Sequence, residues 1–177
     1  MNKKSLLYCV FFIILTYEIS FAYSSNTIDI EFDGQLVTTG CQVSADSLNK
    51  KIKLDNLRWQ NINENGVSQI TSFSIAIEKC NEADLQKTVS LTWQSNQLVD
   101  IDKDSYLKTK GNSNILLGIT DKEGKLVSWN KSMSLGEVTI IGDSQQFDFG
   151  VFVRKPKSEN AKVGDFTGTA TFMLEYE

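Results

Sequence analysis

Histidine is absent from this 177-residue chain, and proline occurs once, at Pro156. Without histidine there is no Ser-His-Asp or Cys-His activation of a nucleophile and no histidine-ligated zinc. With so little proline, extended segments run uninterrupted. Among the glycines, Gly164 and Gly168 have no basic residue placed as a phosphate-binding loop requires. The 22 carboxylates supply no recognisable acid–nucleophile spacing. The composition therefore predicts no enzyme and no cofactor.

Long hydrophobic runs are also missing, except at the start. Lys3 and Lys4 precede an apolar stretch, Leu6 to Thr16, and Ser20-Phe21-Ala22 supplies small residues at a cleavage edge. That pattern is a secretory signal peptide over residues 1–22, too short to span a bilayer as a helix. Cys9 lies inside the apolar run, which argues against a lipid anchor. Removing Lys3, Lys4 and Glu18 takes the net charge from −4 to −5. An acidic chain is a poor match for nucleic acid or for an anionic membrane surface.

Cysteine is scarce too. Of the three, Cys9 leaves with the leader, so Cys41 and Cys80 remain. In an oxidising compartment an isolated pair forms one disulfide.

What the chain has in abundance is alternation. Ile28, Ile30, Phe32 and Leu36 recur at every second position, with Gly34 the one gap and polar residues between them. This is an amphipathic strand with no turn before it and no evident partner. Further strands are expected at Ile52–Leu54, Phe73–Ile77, Val89–Trp93, Val138–Ile141 and Phe147–Val153. "ILLGITDKEGKLVSW" reads as a hairpin about Gly124. The last segment, "GTATFMLEYE", places Ala170, Phe172, Leu174 and Tyr176 on one face. Met173 on the other face implies that this side is partly covered too. "NEADLQK" and "DKDSYLK" have room for a helical turn but no sustained apolar period. Short strands with polar connections predict an all-β sandwich.

Three weaker motifs carry blander readings. Asp100-x-Asp102-x-Asp104 opens like a calcium loop but has Ser105 where glycine is needed and Gly111 where a bidentate glutamate is needed. It reads as a solvated acidic loop. Asn130-Lys131-Ser132 is a glycosylation sequon by pattern alone. Trp59, Trp93 and Trp129 suit core packing better than a sugar platform.

Taken together, these features resemble the chaperone–usher pilins of Gram-negative bacteria. The stretch 23–36 resembles that family's donor-strand extension, with Gly34 seven residues before Cys41, and residues 37–177 resemble the pilin domain. "IKLDNL" is similar to the segment after the first cysteine, and "FSIAIEKC" to the strand carrying the second. "ILLGITDKEGKLV" resembles the central hairpin. "GDFTGTATFMLEYE" has Gly164 fourteenth from the end and Tyr176 penultimate, as in the tail a chaperone recognises. The stretch from Asn81 to Asn112 matches no family motif.

The resemblance implies an incomplete immunoglobulin-like sandwich lacking its final strand, since the sequence ends at Glu177. It implies a periplasmic chaperone, an outer-membrane usher and neighbouring pilins as partners, export to the cell surface, and contact with a host receptor only through the assembled fimbria. Gly164, Ala170, Phe172, Leu174 and Tyr176 would form the groove-facing C-terminal strand. Ile28, Ile30, Phe32, Gly34 and Leu36 would enter a neighbour's groove. A terminating subunit and a glycan-binding adhesin are the competing roles.

Overall fold

The computed structural model describes residues 40–55 and 57–177. Within them the chain forms β1 (Gln42–Val43), the short helices α1 (Ala45–Leu48) and α2 (Trp59–Asn65), and β2 (Thr71–Glu78). A 3₁₀ turn at Glu82–Asp84 leads into β3 (Thr88–Gln94), β4 (Leu98–Ile101), β5 (Asp104–Lys108), β6 (Lys110–Gly111) and β7 (Leu116–Thr120). Then come β8 (Ser132–Glu137), β9 (Gln145–Arg154), β10 (Phe166–Thr167) and β11 (Thr171–Tyr176). All pairings are antiparallel. One sheet runs β1-β2-β9-β7-β5-β4, a second runs β11-β3-β8, and β10 pairs with β6.

Period-two alternation builds the two facing layers. Ile75 and Ile77 of β2 and Phe147, Phe149, Val151 and Val153 of β9 are buried, while their neighbours Asp148 and Ser72 point outward. From the other sheet, β3 buries Val89, Leu91 and Trp93. These side chains belong to one apolar core shared by both sheets. Trp93 ties the layers together: its ring lies 5.4 Å from Phe149 across the sandwich and 5.7 Å from Phe172 on β11, edge-on to both. Such edge-to-face pairs add roughly 0.5–1.5 kcal/mol each beyond simple burial. A smaller cluster of Ile101, Tyr106 and Leu116 packs with Phe152 and Val99.

The all-β expectation holds, and several of its local details need correction. Ile52–Leu54 joins no ladder among the described residues. The strand placed at Val138–Ile141 ends at Glu137 instead. Beyond it the backbone turns to bond the 80–87 loop, with Gln86 donating to Val138 O, Val138 donating to Lys87 O and Gly142 donating to Cys80 O. The hairpin keeps its first arm and its tight turn, with Gly124 in the left-handed region at φ 81°. Its second arm shrinks to a single bridge, Thr120 with Leu126, because Val127 and Trp129 enter the core. "DKDSYLK" is the corner and second arm of the β4–β5 hairpin rather than a helical turn, with Asp102 at φ 59°. α2 escaped notice because only Ile62 is buried along it, too little for a helical period; Gly66, at φ 80°, ends it by donating to Ile62 O.

Cys41 and Cys80 are disulfide-bonded and buried. The bond closes a loop of 39 residues' separation, pinning the start of the described chain to the end of β2. Replacing both cysteines by serine should lower unfolding stability by roughly 4 kcal/mol in the chain-entropy account. Denaturant melts of oxidised wild type and the double variant check this, with little or no change as the contrary result.

Candidate functional site

Strand β11 lies at the edge of its three-stranded sheet. It pairs along its whole length with β3, Thr171 opposite Gln94 through Tyr176 opposite Val89, and Glu177 exchanges backbone bonds with Thr88. Among the described residues its other edge has no ladder partner. The side chains alternate accordingly. Phe172, Leu174 and Tyr176 are half-buried against the core, while Thr171, Met173 and Glu175 are exposed. Met173 is 42% exposed, so the expectation of a covered second face is overturned. That face turns to solvent because no element of the described chain packs over it.

Ala170 is also half-buried against the core, one residue before the strand begins. Gly164 is not on this strand, which corrects the sequence-based grouping. It sits before β10 at φ 156°, and a Cβ there would lie 3.2 Å from the Asn112 backbone. Its role is close approach to the 112–113 backbone. Gly168 marks where the chain leaves β6 for β3: a Cβ there would fall 2.5 Å from Leu117.

A second stretch of backbone is also without a ladder. Residues 51–55 pair with no strand among the described residues, yet Leu54 and Leu57 pack against the same core as β11. Near the start of β10, Leu57, Trp59, Ile62, Ile115, Val163 and Phe166 line an open crevice. The buried Ser113 hydroxyl on its wall has no hydrogen-bond partner.

At the far end of β11 the chemistry is polar. Asp84 is 1% exposed and caps the 3₁₀ turn, its Oδ2 accepting from the Asn81 amide at 3.0 Å and its Oδ1 from Lys87 Nζ at 2.9 Å. The Asn81 amide first, then Lys87, hold its carboxyl below the ordinary aspartate value. Beside it lies Tyr176, whose phenol is raised by burial and then by the Asp84 charge; its hydroxyl has no hydrogen-bond partner. Gly40 completes the junction, with room for a Cβ only 3.5 Å from the Tyr176 ring and 3.7 Å from Asp84 Oδ1. Nothing in the sequence marked Asp84; the one legible signal was Asn81 three residues before it, half of a capping box.

The remaining sequence candidates fall elsewhere. Asp100 accepts from Ser105 and Asp102 pairs with Lys157 at 2.6 Å, so this acidic run serves a hairpin corner. Trp93 and Trp129 are buried, Trp129 donating to Ser105 O, while Trp59 is partly exposed. Ile28, Ile30, Phe32, Gly34 and Leu36 lie outside the described residues. No helix among the described residues is long and apolar enough to cross a membrane.

A family model described as "Fimbrial protein" matches residues 30–177. Among curated proteins, the chain is 31% identical over 160 residues to the fimbrial adapter PapK of Escherichia coli, covering 84% of this chain and 87% of that one. It is 26% identical over 159 residues to the KS71A fimbrillin of Escherichia coli, with 84% of each covered. The major MR/P fimbria protein of Proteus mirabilis is 24% identical, covering 84% and 83%. Among solved structures, the P pilus rod subunit PapA superposes with a TM-score of 0.63 at 21% identity, over 78% of this chain and all of that one. A chaperone–usher pilus structure gives 0.63 over 86% and 97%. The shared fold is an immunoglobulin-like sandwich.

Because the Asp84 pKa is depressed in the folded state, its contribution to stability is present above the ordinary value of 3.8 and is lost as pH falls through the folded value. Asp84→Asn should therefore be destabilised relative to wild type at pH 7, with the gap closing below about pH 4. Thermal melts of both proteins across pH 2–7 test this; a gap constant with pH would contradict it.

Proposed function

This chain belongs to the fimbrial protein family, and from that premise we propose that it is a building subunit of a chaperone–usher fimbria that joins its neighbour by donor-strand exchange. It is a structural protein rather than an enzyme, and a subunit of an exported surface fimbria. The observation that supports the exchange reading is a pair of backbones without ladder partners among the described residues, the outer edge of β11 and residues 51–55, both with side chains packed on the same apolar core. Unpaired N–H and C=O groups along a strand edge are a template for another strand, and the half-buried apolar row of β11 gains from being covered. One extended strand of alternating side chains supplies both at once.

The sequence holds such a strand. Ile28, Ile30, Phe32 and Leu36 form its apolar row, and Gly34 is the position where the backbone itself approaches the floor. Burying three of those side chains contributes about 1.5–3 kcal/mol each before the ladder bonds are counted. In this reading a periplasmic chaperone covers the same edge first, protecting Phe172, Leu174 and Tyr176 from aggregation. At the outer-membrane usher the next subunit's extension then replaces it.

A synthetic peptide spanning Ser24 to Thr38 should raise the melting temperature of the chaperone-released full-length subunit. A peptide carrying Gly34→Trp should bind far less well, since overpacking a tight site costs roughly 1–3 kcal/mol, about 5- to 150-fold in affinity. A melt unmoved by the native peptide would falsify the exchange reading.

A further inference from the structure

Resting on that reading, we propose that Leu85, Ile140 and Ile141 form a second contact between successive copies of this chain, which sets the angle at which one subunit meets the next. All three are exposed, at 39%, 37% and 45% respectively. They are brought together by the backbone: Gln86 donates to Val138 O, and Gly142 donates to Cys80 O, so the 138–142 segment runs alongside the 80–86 loop. The chain from Val138 to Gly142 has left its sheet to do this, which is why two consecutive isoleucines face solvent there. Val138 itself remains buried, so the excursion is anchored.

Where this patch sits decides its occupant. Its two segments are tied to the residues next to the point at which the described chain begins. Gly40 packs against Tyr176 and beside Asp84, and its neighbour Cys41 is bonded to Cys80, the residue that Gly142 grips. Between Leu36, the last apolar residue of the extension, and Gly40 stand only Val37, Thr38 and Thr39. Four Cα steps reach at most ~14 Å even when fully extended. The copy that receives Leu36 must therefore hold it within that distance of Gly40, which the Cys41–Cys80 bond and the Gly142–Cys80 hydrogen bond link to the segment carrying Ile140 and Ile141. No longer linker separates Leu36 from Gly40.

A tether so short also removes the need for a large interface. Once the extension is inserted, the second contact is intramolecular, with an effective concentration in the millimolar range or above. Three apolar side chains, far too few to hold two free molecules together, then suffice to favour one orientation. The patch is too small to drive association of free subunits and acts only once tethered.

Hydroxyl-radical footprinting of the full mature chain tests the assignment. One sample is the monomer whose groove is filled by the Ser24–Thr38 peptide; the other is the dimer isolated from assembling protein, with its remaining groove filled by the same peptide. Leu85, Ile140 and Ile141 should be labelled about half as much per chain in the dimer, because one of its two patches is covered. Phe172 and Leu174 should be protected equally in both samples. Equal labelling of the patch, with Phe172 and Leu174 protected, overturns the second contact and leaves strand exchange standing. Phe172 and Leu174 unprotected in the dimer would remove the exchange reading and this inference with it.

Discussion

An antiparallel strand whose side chains are held by a core, and whose backbone is laddered on one side only among the described residues, is the constraint on which this structure turns. β11 is fastened to the sandwich through Trp93 and Leu91, opposite Phe172 and Leu174, and it lies at the edge of its sheet. The apolar row fixes its position, and the unpaired edge leaves a ladder unmade. A long, regular edge of this kind is normally blunted by charge, proline or a bulge. Here the single proline is at Pro156, and the bulge in this sheet falls between Val89 and Ser90 on the opposite pairing with β8. Apart from the exposed Glu175, the edge of β11 carries none of these devices, and a regular edge is what strand addition requires.

The polar junction at the other end of the strand gives this edge a fixed address. The disulfide holds Gly40 and Cys41 against the end of β2, and the Asn81–Asp84 turn is fastened by Lys87 just before β3 starts. Tyr176 is trapped between them. The point where the chain enters its domain and the point where β11 ends are thus one rigid knot.

Much of this was legible in the sequence because strand periodicity is a local signal. Phe73–Ile77, Val89–Trp93 and Phe147–Val153 each declare a buried face, and β2, β3 and β9 follow. The alternation of Phe172, Leu174 and Tyr176 declared the edge strand in the same way. What stayed hidden depends on partners far along the chain. Val138–Ile141 has the composition of a strand, yet its bonds go to the 80–87 loop. Gly164 looked like part of the last strand, yet what it answers to is the backbone of Asn112. Met173 implied a covered face, and its surroundings left it open. Asp84 carries no pattern of its own; its burial follows from Tyr176 and Gly40 closing over it. Alternation reveals which face of a strand is apolar, and it cannot say which distant segment will meet that face.

The central claim is that the strand completing this sandwich comes from another copy of the chain. The most direct measurement is a high-resolution structure of the assembled fimbria, in which the segment beside β11 can be traced to its own domain. The account predicts residues 28–36 there, continuing through Val37 to Thr39 into the Gly40 of an adjacent molecule. Residues 28–36 leading back into the same molecule's Gly40, or a bare β11 edge within the filament, would contradict it.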